Sequence, residues 1–82
     1  MSEVLQQRIE SLHKILADPT RQKILKLISS SPQNPQELAT KLSISRPAVE
    51  KHLKLLLSNY FCERTVEPFP TPHYVYYISD PG

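Results

Sequence analysis

The chain has 82 residues, of which 39% are hydrophobic and 22% are charged, and its formal net charge is +2. A chain of this size supports one hydrophobic core, so we expect a single domain over residues 1–82. It has no apolar run near the ~20 residues that cross a bilayer and no signal-like N-terminus, which predicts no membrane partner and a cytoplasmic location. Its one cysteine, Cys62, excludes an internal disulfide bond.

Apolar residues recur every three or four positions from Glu3 to Leu16, which predicts a first helix with one apolar side. This side consists of Leu5, Ile9, Leu12 and Leu16. Such a stripe packs either on the core of its own domain or on a second copy of the chain. Because the helix projects from so small a domain, we expect residues 3–16 to form a dimerisation helix.

Two further helices are marked by an N-cap residue followed by proline. Asp18 before Pro19 opens the second helix, which we expect to end in the serine run 29–31. The segment 34–37 reads Asn-Pro-Gln-Glu, the pattern of a capping box, and opens a third helix that we expect to end at Leu42.

The fourth helix follows the short connection 43–45, with Ser45 as its N-cap, and we expect it to extend to Ser58. Its apolar side consists of Val49, Leu53, Leu56 and Leu57, and its opposite side carries Arg46, Glu50, Lys51 and Lys54. The outward side of this helix is therefore polar and basic overall.

Beyond Asn59 the sequence becomes rich in β-forming residues. Segments 61–67 and 73–79 flank the stiff run 68–72, which predicts a two-stranded hairpin. In the second strand Tyr74, Tyr76 and Ile78 alternate with Val75, Tyr77 and Ser79, so we expect one of these faces to pack on the helices and the other to stay in solvent. The predicted fold class is mostly α with a small β-hairpin: a winged helix-turn-helix of four helices followed by a two-stranded wing.

Charge distribution and element order both indicate a duplex DNA partner. Residues 19–59 contain seven basic and two acidic side chains, which leaves three basic and six acidic ones elsewhere. Two short helices joined by three residues are typical of proteins that insert the second helix into the major groove, which is roughly 12 Å wide.

Four segments in the same order resemble the ArsR-type winged-helix repressors. The run 18–25 (DPTRQKIL) resembles the family's opening motif, and 37–45 (ELATKLSIS) resembles its helix-turn-helix. The run 47–54 (PAVEKHLK) is similar to the family's recognition helix, and 75–77 (VYY) to its second wing strand. The resemblance implies a homodimeric transcriptional regulator, expected to be a repressor, that binds a palindromic operator with half-sites about 34 Å apart.

The resemblance also implies which residues contact DNA. Those expected near base edges or phosphates are Ser45, Arg46, Ala48, Glu50 and Lys51. Lys41 and Lys54 are expected on phosphates, and Arg64 and His73 are the candidates in the wing. Guanine O6 and N7 favour Arg46 or Lys51, because arginine and lysine donate hydrogen bonds to these acceptors.

The chain departs from the family in three respects. Segment 37–41 lacks the cysteine pair through which many members sense metals, so no metal site is expected there. We expect no C-terminal helix of the kind through which many members dimerise, so dimerisation should depend on the first helix. The wing tip 68–73 contains no arginine or lysine, which leaves Arg64 and His73 as its only candidate contacts.

The remaining polar residues predict neither a cofactor nor catalysis. The three histidines and Cys62 have no ligand-like spacing; we interpret His52 as half-buried and Cys62 as a small buried hydrophobic residue. The sequence has no nucleophile elbow or glycine-rich phosphate loop, which predicts a protein that is not an enzyme. Two alternatives stay open. A protein-interaction module would carry an apolar or acidic outer face on the fourth helix, and a sequence-tolerant DNA-coating protein would show a steep salt dependence with little sequence preference.

Overall fold

The computed structural model describes residues 2–79, and the ends of the predicted domain, residues 1 and 80–82, lie outside the described residues. The described chain forms four helices followed by an antiparallel hairpin. The helices are α1 (Glu3–Ala17), α2 (Pro19–Ser30), α3 (Pro35–Leu42) and α4 (Arg46–Ser58), and the strands are β1 (Glu63–Glu67) and β2 (His73–Tyr77). The predicted fold class is confirmed, and the helices begin and end within about one residue of the predicted positions.

The N-cap residues determine where α2, α3 and α4 begin. In each case a side-chain oxygen accepts a hydrogen bond from the backbone N–H three residues later: Asp18 from Arg21 at 3.0 Å, Asn34 from Glu37 at 2.8 Å and Ser45 from Ala48 at 3.2 Å. Proline follows the cap in α2 and α3 and lies in the first turn of α4, where a missing N–H costs nothing.

Helices α3 and α4 end in the same geometry although neither has a glycine there. After α3, Ser43 has a φ of 55°, and the next N–H donates to the Ala39 carbonyl at 3.2 Å. After α4, Tyr60 has a φ of 64°, and the Phe61 N–H donates to the Leu56 carbonyl at 2.9 Å. Both ends are Schellman caps, which turn the chain sharply from α3 into α4 and from α4 towards the hairpin.

The core lies between α2, α3 and α4. Its fully buried side chains are Ile24, Ile28, Leu38, Val49, Leu53 and Leu56. Cys62 and Tyr76 extend the core into the hairpin. The predicted apolar side of α4 is thus confirmed except at Leu57, which is only half-buried because it faces the groove beside the hairpin.

Helix α1 joins this body through its C-terminal end. Ile15 is the α1 side chain that enters the core. The side chains of Arg21 and Gln22 donate to the carbonyls of Ile15 and Leu16 at 2.8 and 2.7 Å. The last carbonyls of a helix have no partner within the helix, so α2 supplies their donors. Within residues 2–79 no helix combines the length and apolar character needed to span a membrane.

The hairpin is shorter than predicted at the ends of the strands that lie away from its turn. Its register runs from Glu63 opposite Tyr77 to Glu67 opposite His73. The predicted strands 61–67 and 73–79 were each two residues too long, because Phe61 completes the α4 cap and Cys62 packs into the core.

The strict alternation predicted for β2 is wrong. Val75 and Tyr76 are adjacent and both buried, whereas Tyr74 and Ile78 are exposed. Tyr76 is held by the α2–α3 connection: its N–H donates to the Gln33 carbonyl at 2.8 Å and its carbonyl accepts from the Gln33 N–H at 3.0 Å. Burial in β2 therefore follows this contact and not the two-residue period.

Candidate nucleic-acid interface

The outward side of α4 carries the predicted basic residues. Arg46, Glu50, Lys51 and Lys54 are all exposed, on the side opposite the buried Val49, Leu53 and Leu56. The Ser45 cap and the Schellman cap before it set the direction of this helix relative to α3. A polar helix face of this kind has the shape and charge to enter a DNA major groove.

Arg46 and Glu50 form an ion pair one helical turn apart. Arg46 Nε donates to Glu50 Oε1 at 3.0 Å, and both side chains are about half exposed. An exposed pair of this kind contributes only about 0.3–0.5 kcal/mol. Arg46 is therefore oriented by Glu50 and remains able to exchange it for a base or a phosphate.

A groove of about 740 Å³ separates α4 from the hairpin. It is lined by three basic side chains and one histidine, namely Arg46, Lys54, Arg64 and His73. One acidic side chain, Glu50, also lines it. This cationic groove brings the predicted wing candidates and part of the predicted recognition surface to one site.

Arg64 is fixed in the cationic groove by two tyrosines. Its guanidinium carbon lies 4.0 Å from the centroid of the Tyr74 ring, and Nη1 donates to the Tyr76 hydroxyl at 3.4 Å. That hydrogen bond raises the pKa of Arg64 above its usual value, so the charge is permanent. His73 lies nearby with Nδ1 2.7 Å from the Thr71 carbonyl, and because a carbonyl can only accept, Nδ1 is the protonated nitrogen.

A second groove, of about 550 Å³, lies on the other side of α4, against α2. It is lined by Arg21, Lys51, His52 and Lys54, with Leu55 and Ser58. His52 is half-buried, as predicted. The backbone N–H of Arg21 and the charges of Arg21 and His52 hold the pKa of Asp18 below its usual value, although desolvation opposes them. The α4 surface is thus bordered by basic side chains on two sides.

The other predicted contact residues have structural partners of their own. Lys41 Nζ donates to Gln33 Oε1 at 2.7 Å, and Gln33 is buried. The Ser45 hydroxyl is engaged in the α4 cap, and Ala48 is half-buried. Lys41 and Ser45 therefore lie at the surface beside α4 while also fixing the local geometry.

Arg21 and Tyr74 were missed by sequence reasoning. Arg21 belongs to the segment used for the family resemblance, but only the tertiary structure places it on the same groove as Lys51. Tyr74 was assigned to a strand face by alternation, and the register that sets Arg64 opposite Tyr76 could have indicated an aromatic partner for this arginine.

Cysteine and histidine do not build a metal site in the described part of the chain. Among residues 2–79 no three His, Cys, Asp or Glu side chains converge in a way that could hold an ion. Cys62 is buried, and this burial raises the pKa of its thiol to about 11. The interpretation of Cys62 as a small buried hydrophobic residue is confirmed.

The capped helix-turn-helix and the hairpin packed beside it define a winged helix-turn-helix domain. The family model for bacterial regulatory proteins of the arsR family matches residues 18–58, which is half of the chain. The chain belongs to this family. Because its members are transcriptional regulators and not enzymes, the prediction of a non-enzymatic protein is confirmed.

Solved and curated proteins agree with this assignment. An ArsR-like transcriptional regulator from Rhodococcus sp. RHA1 superposes with a TM-score of 0.75 at 28% identity, over 92% of this chain and 68% of that one. An HTH-type transcriptional regulator of Mycobacterium tuberculosis is 44% identical over 60% of this chain and 47% of its own length. The transcriptional repressor SdpR of Bacillus subtilis is 33% identical over 58% of this chain and 53% of its own length. The chain thus spans about half the length of the curated relatives it matches.

Proposed function

We propose that this chain is a sequence-specific DNA-binding transcriptional regulator that acts as a homodimeric repressor and reads the major groove with α4. The observation that carries the proposal is the exposed basic side of α4, bordered by two grooves lined with cationic side chains. A protein-interaction module would instead carry an apolar or acidic surface on this helix.

The division of labour among the α4 residues follows from their chemistry. Arg46 and Lys51 donate to guanine O6 and N7, and Glu50 adjusts the orientation of Arg46. Lys54 borders both grooves and contacts a phosphate, as does Lys41 with the ammonium hydrogens that Gln33 leaves free. Arg64 neutralises a phosphate of the backbone strand that passes between α4 and the hairpin, and His73 lies beside the same strand.

Homodimerisation is supported by the apolar side of α1, which the domain leaves largely exposed to solvent. Within the predicted stripe, Leu5, Ile9 and Leu16 are 47%, 37% and 36% exposed, and only Leu12 is half-buried. Pairing of two such helices removes this apolar surface from water at roughly 25 cal/mol per Å². Two copies then present two α4 helices to half-sites about one helical turn apart.

The repressor role extends the proposal by one step. The Bacillus subtilis relative is named a transcriptional repressor, and a dimer that covers an operator excludes polymerase from the same DNA. A reporter under the control of the bound region should therefore be more active in a deletion strain, and an unchanged reporter would contradict repression.

DNA binding is tested by fluorescence anisotropy at low salt with duplexes from the region upstream of the chain's own gene. We expect the wild type to bind one duplex more tightly than its shuffled sequence, and Arg46→Ala or Lys51→Ala to lose about 5–150-fold in affinity. Arg8→Ala removes a charge from α1 and is the matched control, which should bind like the wild type. Equal binding of the shuffled duplex would indicate a DNA-coating protein, and equal affinities of all variants would overturn the proposal.

Dimerisation is tested by sedimentation equilibrium. The double substitution Leu5→Glu and Ile9→Glu should shift the protein from dimer to monomer, because charges cannot be buried in an apolar seam. Gln7→Glu places the same charge elsewhere on α1 and should leave the dimer intact. A monomeric wild type at micromolar concentration, or a double variant that remains dimeric, would refute the assignment of α1.

A further inference from the structure

The tip of the hairpin is apolar and stiff where the rest of the proposed DNA surface is cationic. Residues 68–72 read Pro-Phe-Pro-Thr-Pro and carry no charge. The Phe69 side chain is 80% exposed, whereas α4 keeps its apolar side chains in the core. Each proline fixes its own φ and restricts the residue before it, so the loop loses little conformational entropy when Phe69 meets a partner.

The residues that flank the tip line the same groove as the side of α4 that is proposed to meet DNA. The cationic groove is lined both by Arg46 and Lys54 of α4 and by Val66 and Pro72, which lie next to the turn of the hairpin. The strand that leads to the tip ends at Glu67, and the loop 68–72 that follows it carries Phe69. Because Val66 and Pro72 flank Phe69 in the chain, the ring lies on a loop next to the groove that Arg46 lines.

A duplex that receives α4 in its major groove presents the neighbouring minor groove to this tip. In the proposed complex, the phosphate strand between the two grooves lies against the cationic groove that Arg64 and His73 line. Glu67 is the acidic side chain closest to the tip in sequence, and it pairs with His73 in the strand register. The minor groove is thus approached by an exposed aromatic ring held between prolines.

We propose that Phe69 is a minor-groove wedge, which enters between two base pairs, partly unstacks them and bends the operator around the hairpin. Phenylalanine is among the apolar side chains that act in this way, and such insertions kink the duplex by about 20–90° towards the major groove. The inference rests on the proposed function and adds a second source of specificity. Insertion costs least at pyrimidine–purine steps, so the operator should carry a TA or CA/TG step beneath the tip.

The test uses the full chain and duplexes that the wild type selects from a random 30-base-pair library. Bending is measured by circular permutation, and unstacking by the fluorescence of 2-aminopurine placed at successive positions. We expect Phe69→Ala to lose at least about 20° of bend. We also expect it to lose about tenfold in affinity, together with the fluorescence increase.

Two matched variants isolate the aromatic ring from the loop. Phe69→Leu keeps an apolar wedge and should retain most of the bend, and Thr71→Ala changes a neighbouring tip residue and should behave like the wild type. Because Phe69 is exposed, all three variants should unfold at the wild-type temperature. An unchanged bend and affinity in Phe69→Ala would overturn the wedge.

The outcomes also separate this inference from the proposed function. If Lys51→Ala weakens binding by the expected factor while Phe69→Ala binds and bends like the wild type, α4 reads DNA and the wedge is wrong. If the wild type selects no preferred duplex, the proposed function fails and the wedge fails with it.

Discussion

Helices α1 and α4 are built on the same amphipathic pattern, yet the domain uses them in opposite ways. Helix α4 buries Val49, Leu53 and Leu56 completely and exposes a basic side. Helix α1 is longer, but it buries only Ile15 and leaves most of its apolar stripe in solvent. An apolar period of three and four residues therefore predicts a helix with an apolar side without indicating which molecule covers that side.

The largest expected contrast between the two helices is in the stability of the isolated domain. Leu53→Ala should lower the free energy of unfolding by about 2–5 kcal/mol, because it opens a cavity in a closed core. Leu5→Ala should cost less than about 1 kcal/mol at concentrations where the protein is monomeric, because its side chain is nearly half exposed already. Urea unfolding at low protein concentration measures both, and equal losses would remove the contrast.

The burial of Cys62 in the core predicts that the protein loses stability at alkaline pH. Cys62 has a pKa near 11 in the folded protein and 9.0 as its ordinary value, because burial disfavours the thiolate. The unfolded chain therefore releases the proton first, and stability falls by about 2 kcal/mol as the pH rises from 9 to 11.

Urea unfolding under reducing conditions at pH 8 and pH 10.5 measures this loss. Cys62→Ala is the control: it lacks the thiol and should show a smaller decrease between the two pH values. A decrease of the same size in both proteins would show that other groups cause it. The native thiol should also resist alkylation at pH 8 until the protein unfolds.

A smaller effect is expected on hydrogen exchange at the C-terminal end of α1, where side chains of α2 hold this helix to the domain. Arg21→Lys removes the planar group that donates to the carbonyls of Ile15 and Lys14, at 2.8 and 3.5 Å. Amides in the last turn of α1 should then exchange with solvent up to about tenfold faster, the equivalent of one hydrogen bond. The α4 amides serve as the internal control, and faster exchange in both helices would mean that the core itself was weakened.

The smallest expected effect concerns how the helices end. Tyr60 caps α4 with a φ of 64°, which disfavours residues other than glycine, and its side chain is exposed. Tyr60→Gly should raise stability by up to about 1 kcal/mol, reduced by the greater freedom of the unfolded chain. Asp18 follows α1 with an extended backbone, so Asp18→Gly offers no such gain. Thermal unfolding compares them, and a lower melting temperature for Tyr60→Gly would be the contrary result.

Local chemistry made the helices predictable, whereas contacts between distant residues did not follow from the sequence. The caps at Asp18, Asn34 and Ser45 depend on atoms three residues away, and each forms as predicted. The bridge from Gln33 to Tyr76 joins positions that no local pattern connects. For that reason the buried face of β2 was mispredicted.

The candidate site shows the same division. The four polar α4 residues followed from helical periodicity, and their exposure is confirmed. The stacking of Arg64 on Tyr74 depends on the hairpin geometry, and the presence of Arg21 and Lys51 on one groove depends on the packing of the whole domain. These arrangements required the three-dimensional structure.

The bridge between Gln33 and Tyr76 has a mechanical consequence. Two backbone hydrogen bonds tie the hairpin to the loop before α3, and Lys41 ties the same glutamine to α3 itself. In the proposed complex, these bonds hold α4 and the hairpin tip at a set distance from each other. A duplex that engages both must match this spacing in its helical twist, so binding should respond to supercoiling and to the torsional stress that passing polymerases generate.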